Sequence, residues 1–167
     1  MILESIQSWA GVRLPPSGYL QAVRKLCDET GALMIIDENE SGFGRTGTMF
    51  AIEALAPTVV PDIMTLGKSL SGGLYPIAAA LYRPEYLKFW EKYPYSHLST
   101  FAGSDLGCVV GLETIRYLER EKMGARALDV SSADVEKILD AFSRALAGCQ
   151  SILTPMKRET LESLLHS

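Results

Sequence analysis

Residues 32–47 read ALMIIDENESGFGRTG, a near-continuous apolar run closed by Asp37 and followed by an acidic, glycine-rich stretch. An apolar run of this kind fits a strand of a parallel sheet covered on both faces. The form returns at DIMTLGK, residues 62–68. Upstream, MILESI (1–6) reads as a further short strand, and Pro15-Pro16 then bars a helix until Ser17 offers an N-cap. From Ser17, SGYLQAVRKLCDETG sets Leu20, Val23, Leu26 and Cys27 at helical spacing, with Gly31 placed as a left-handed C-terminal cap. Strand, helix, strand, loop, strand is the grammar of an α/β domain.

Beyond this unit, PIAAALY (76–82) reads as another strand before a helix at PEYLKFWEKY (84–93), whose Trp90 and Tyr93 are candidates for packing. Ser104 is placed to cap a long helix reaching Glu121, with Leu106, Val109, Val110, Ile115 and Leu118 as its apolar face. Another helix is expected from Ser131, where Val135, Ile138, Leu139, Phe142 and Leu146 form a stripe.

The bulk numbers favour one globular domain: 167 residues, 47% hydrophobic and 22% charged, enough to bury about two thirds of the unfolded surface. A net charge of -4 with no long run of like charges argues against a nucleic-acid partner. Cys27, Cys108 and Cys149 are odd in number and form no C-x-x-C pair, so a reducing, cytoplasmic setting is expected, with neither disulfides nor zinc. His97 and His166 lack metal-ligand spacing, so no metal site is expected. Neither a secretory leader nor a membrane span is expected from the sequence.

GFGRTG (42–47) satisfies G-x-G-x-x-G literally. A dinucleotide loop needs its glycines directly after a strand and opening a helix, where backbone N–H groups meet the pyrophosphate. Here Asp37, Glu38, Asn39, Glu40 and Ser41 intervene, and their carboxylates would repel a pyrophosphate. A different chemistry fits better. Asp37 ends one strand and Lys68 follows the next, so an acid and an amine stand at the carboxyl ends of strands, where open α/β sheets bind ligands. Taken alone, Lys68 is a solvated lysine and Asp37 a strand-terminal cap. Together they suit pyridoxal phosphate, whose aldehyde bonds to a lysine and whose ring nitrogen a carboxylate keeps protonated.

The stretch LMIIDENESGFGRTGTMFAIEALAPTVVPDIMTLGKSLSGGLYPIAAAL resembles the central segment of the class III pyridoxal-phosphate aminotransferases, the group of ornithine, putrescine and ω-amino aminotransferases. The likeness runs from LESIQSWAGVRLPP through HLSTFAGSDLGCVVGLETIRYLE, about residues 3 to 120. It implies a fold type I, mainly parallel α/β large domain with flanking helices, truncated: 1–122 as a partial cofactor-binding domain and 123–167 as a C-terminal helical segment and tail. It assigns Asp37 to the pyridine nitrogen, Lys68 to covalent attachment and proton transfer, and Thr100 to the cofactor phosphate of a neighbouring subunit. A homodimer sharing the site, acting on a small-molecule amine and a keto acid, follows from the resemblance. So does reading GFGRTG as a structural and interface loop; Arg45 is expected to steady it through an ion pair.

Departures from the family pattern fall near the site. Glu40 stands where members often carry glutamine beside the ring oxygen, where an ionised carboxylate would be repelled unless protonated or turned aside. Trp9, at the expected substrate entrance, replaces a glutamate, and Ser8 a glycine. Family members also have N- and C-terminal portions, supplying a phosphate loop and a substrate-binding arginine, that have no counterpart here. Two functions therefore stand open: an aminotransferase or a piece of one, or a catalytically silent remnant serving as a binding or assembly module.

Overall fold

The computed structural model describes residues 1–96 and 98–126. The helix expected from Ser131, the tail 148–167, Cys149 and both histidines lie outside the described residues.

Among the described residues four strands form one sheet in chain order: β1 (Ile2–Glu4), β2 (Ile35–Asp37), β3 (Ile63–Leu66) and β4 (Ala79–Tyr82). The first three run parallel, with Leu3 beside Ile36 and Ile36 beside Met64, and β4 closes the edge antiparallel, Leu81 opposite Met64. The sheet is therefore mostly parallel.

Between β1 and β2 runs α1 (Tyr19–Thr30), which ends as expected at Gly31 with φ 69°. Its start differs from expectation. Gly18, in the left-handed region at φ 81°, is the N-cap and Ser17 is not, because the chain turns through the Pro15-Pro16 corner with Tyr19 N–H donating to the Pro16 carbonyl at 3.1 Å. Leu20, Val23 and Cys27 of α1 are buried against Met34, Ile36 and Met64 of the sheet region. Each large apolar side chain so buried contributes about 1.5–3 kcal/mol. That outweighs the few tenths expected from an exposed i,i+4 pair such as Lys25–Glu29 at 3.7 Å. Packing, not surface charge, holds α1 down.

A short α2 (Ala51–Leu55) precedes β3, and a single 3-10 turn, Lys68–Ser71, follows it. The PEYLKFWEKY segment begins as a 3-10 turn and continues as α3 (Leu87–Lys92), where Phe89 stacks edge-on against Trp90 at 5.0 Å and tilted against Tyr93 at 5.3 Å. Ser104 caps α4 (Asp105–Arg120) by accepting from Gly107 N–H at 3.2 Å. The buried face of α4 keeps most of the expected residues, with Val110 buried and Ile115 and Leu118 packed against the core, but small residues join it and Val109 does not. Gly107, Val110, Gly111 and Thr114 are buried, whereas Val109 is exposed. The stripe follows small residues because the helix approaches closely: a Cβ on Gly107 would lie 3.1 Å from the Tyr75 ring. A final turn, α5 (Met123–Arg126), ends the described chain.

Asp62 ties the base of the sheet together. It accepts from Arg24 of α1 and from Met34 N–H, both at 2.7 Å, and from Tyr86 hydroxyl at 3.2 Å. Burial pushes its carboxyl up, but the hydrogen bonds from Arg24 and Met34 and the Arg24 charge outweigh that, so it titrates below the usual aspartate range.

Candidate active site

Parallel pairing sets Asp37 directly beside Thr65, and Lys68 stands three residues further on, so the acid and the amine emerge from the carboxyl ends of adjacent strands. Asp37 Oδ1 accepts from Asn39 N–H at 2.9 Å, which turns the chain out of β2. Lys68 opens the turn after β3 with φ 29°, an uncommon positive value for a residue with a side chain. Strain of this kind amounts to about 1–3 kcal/mol and gathers at functional sites. The turn is fastened from both sides. Leu70 N–H returns to the Gly67 carbonyl at 2.8 Å, and Arg45 Nη2 donates to Ser69 Oγ at 2.5 Å.

Lys68 Nζ forms an ion pair with Glu40 Oε1, and the same oxygen accepts from Trp9 Nε1 at 3.1 Å. The ammonium also lies 5.7 Å from the Trp9 ring centroid. Three segments, following β1, β2 and β3, thus converge on one carboxylate oxygen. The hydrogen bond from Lys68 is the main reason the Glu40 carboxyl lies below its ordinary range; burial opposes it, and the Trp9 bond and the charges of Lys68 and Arg45 reinforce it. Glu40 is therefore an anion at neutral pH.

Of the residues singled out from sequence, Trp9, Glu40 and Lys68 meet directly, and Asp37 occupies the neighbouring strand end. Thr100 lies in an exposed turn before α4 and takes no part in these contacts. Arg45 does steady its loop, but by hydrogen bonds to the Gly42 carbonyl (3.1 Å) and Ser69; among the described residues it forms no salt bridge. The expected ion pair is replaced by neutral acceptors because the loop folds the guanidinium over its own backbone.

Sequence reasoning passed over three neighbours. Glu38 is fully buried and takes four hydrogen bonds: from Ser5 hydroxyl (2.9 Å), Ser41 hydroxyl (2.5 Å), Ala51 N–H (3.1 Å) and Ile52 N–H (2.9 Å). It occupies the N-terminal amides of α2, the donors a pyrophosphate would need, so GFGRTG is no nucleotide loop. Asn39 holds a buried Oδ1 that lacks a partner, and a Cβ on Gly67 would come within 2.7 Å of it. Thr65 Oγ1, in register with Asp37, is likewise buried and unpaired.

An acid and an amine thus stand at the ends of adjacent parallel strands, close to buried polar atoms of Asn39 and Thr65 that lack partners. The family Aminotransferase class-III matches residues 1–148, and the chain belongs to that family. Among solved structures, the ornithine aminotransferase of Toxoplasma gondii, which reveals partial occupancy of pyridoxal phosphate at its active site, is 39% identical with a TM-score of 0.70, over 75% of this chain and 28% of that one. The acetylornithine aminotransferase of Elizabethkingia anophelis is 38% identical with a TM-score of 0.69, over 75% of this chain and 32% of that one. An (S)-enantioselective omega-transaminase from Thermomicrobium roseum is 31% identical with a TM-score of 0.70, over 75% and 28%. The chain thus spans 28% to 32% of the length of these structures.

Proposed function

We propose that this chain carries the lysine-bearing part of a pyridoxal-phosphate-dependent class III aminotransferase, which moves an amino group between a primary amine or ω-amino acid and a keto acid. The observation that supports it best is the pairing of Asp37 and Lys68 at neighbouring strand ends. The residues fit the cofactor. Asp37 has one oxygen engaged by Asn39 N–H, and among the described residues no other donor reaches it, so a protonated ring nitrogen can bond to it. Lys68 is half-exposed and presents a primary amine. Bound there, pyridoxal phosphate would supply an aldehyde and an aromatic ring that accepts electrons from the substrate's α-carbon. Asp37 would hold the ring nitrogen protonated. Lys68 would serve as nucleophile and carry a proton to and from the substrate carbon.

Thr100, in its exposed turn, is proposed to reach the cofactor phosphate of a second subunit, which makes the working form a homodimer with a shared site. Residues 1–122 would form the cofactor-binding portion and 123–167 a helical segment and tail, in a cytoplasmic protein. A second reading, a silent assembly module, draws on the Glu40 contact that already occupies Lys68.

The test is covalent capture. Purified chain is incubated with pyridoxal phosphate, reduced with borohydride and mapped by peptide mass spectrometry. A pyridoxyl group on Lys68, lost in Lys68→Ala, is the expected result. No label on Lys68 would leave the silent module as the better account.

A further inference from the structure

Glu40 Oε1 serves two donors at once, the Lys68 ammonium and Trp9 Nε1–H, and the indole face stands 5.7 Å from the same ammonium. We propose that Glu40 and Trp9 form a latch on Lys68, sequestering its amine so that an aldehyde reaches the nitrogen only when the ion pair opens. As a control on cofactor capture, the latch rests on the assignment of Lys68 as the cofactor-binding amine; as a control on amine reactivity, it stands independently.

The chemistry is simple. An ammonium has no lone pair. Lys68 must leave Glu40 and release its proton to water before its nitrogen adds to a carbonyl carbon, after which one water is expelled. Glu40 opposes the first step by charge and Trp9 does so twice, fixing the carboxylate oxygen through its N–H and attracting the cation with its ring. Glu40 and Trp9 are therefore positioning residues that act through Lys68. The latch is weak enough to open: the Lys68 side chain is 51% exposed and that of Glu40 23%, and exposed ion pairs contribute little. It slows capture without preventing it.

The experiment measures amine reactivity directly. The full chain is treated briefly with formaldehyde and cyanoborohydride, and methylation of Lys68 is read as a ratio to Lys88, an exposed lysine that forms no ion pair among the described residues. Glu40→Gln is expected to raise this ratio roughly two- to fivefold, the range a half-exposed ion pair supports. Trp9→Phe, which keeps an aromatic ring but removes the N–H, is expected to raise it by less. Added salt should raise the ratio in the unsubstituted chain towards the Glu40→Gln value and leave Glu40→Gln unmoved, because screening weakens the pair. A merely structural role for Glu40 would not produce that salt response, and the salt arm needs no variant to fold. Equal ratios in the two proteins, or no salt response, would overturn the latch. Parallel labelling with pyridoxal phosphate separates the two ideas: if methylation rises in Glu40→Gln but neither protein captures the cofactor at Lys68, the latch holds and the cofactor assignment falls. If both capture it with equal methylation ratios, the reverse is true.

Discussion

At the scale of single residues, Glu38 carries the greatest structural burden near the site. Replacing it with alanine strips acceptors from two hydroxyls and two backbone amides, all buried or nearly so. Each orphaned donor costs about 1–3 kcal/mol, and the Ser5 and Ser41 hydroxyls can partly recover by rotating. Glu38→Ala is therefore expected to lose roughly 3 kcal/mol or more in urea unfolding. Glu38→Gln, which retains one of the two acceptor oxygens, should lose about half as much; equal losses would show that the four-fold acceptance is not what matters. Nothing in the sequence singled Glu38 out. Its partners lie 33, 3, 13 and 14 residues away, so only the closed loop reveals them. The strand-end positions of Asp37 and Lys68 were legible for the opposite reason: each follows an apolar run whose direction and ending are local properties of the chain.

At the scale of elements, the strands and α1 could be read from periodicity because burial on one or two faces imposes it. The small residues on the buried face of α4 could not. Its contact with Tyr75 and Ile77 favours glycine at 107, and hydrophobicity gives no sign of that: a Cβ there would lie 3.1 Å from the Tyr75 ring and 3.2 Å from Ile77. The Asp62 junction escaped notice likewise, since it joins α1, the start of β2 and the segment after β4 by polar contacts. Its depressed pKa has a defined sign. A carboxylate titrating lower in the folded than in the unfolded chain contributes stability above the ordinary aspartate range and loses it as pH falls through the folded value. Asp62→Asn is expected to be less stable at neutral pH by roughly 3 kcal/mol, the low end for breaking a buried pair, because Arg24 keeps Asp28 at 2.7 Å. The gap between the two proteins should narrow on acidification through and below the aspartate range. Denaturation midpoints measured across that range would refute the assignment if the gap stayed constant.

At the scale of the whole molecule, the question is what covers its apolar surface. Single exposed apolar residues are ordinary, but clusters mark contact surfaces. Two clusters are consecutive in sequence: Trp9, Val12 and Leu14 beyond β1, each at least 66% exposed, and Tyr95, Leu98 and Phe101 before α4, each at least 74% exposed. The second surrounds Thr100, the residue proposed to act across a subunit boundary. Among the described residues the sheet adds two edges, β1 with Ile2 exposed and β4 with Leu81 exposed, and edge strands present unpaired backbone groups to other chains. Self-association is the expected outcome. Sedimentation velocity over a range of concentrations should give species heavier than the 18.3 kDa chain, and added salt should not dissociate them, since apolar burial is not screened as charge is. Phe101→Ser should shift the distribution towards the monomer if the surface around Thr100 is the one in contact. A soluble monomer at all concentrations would contradict the proposed homodimer, and it would leave Thr100 without a partner site to serve.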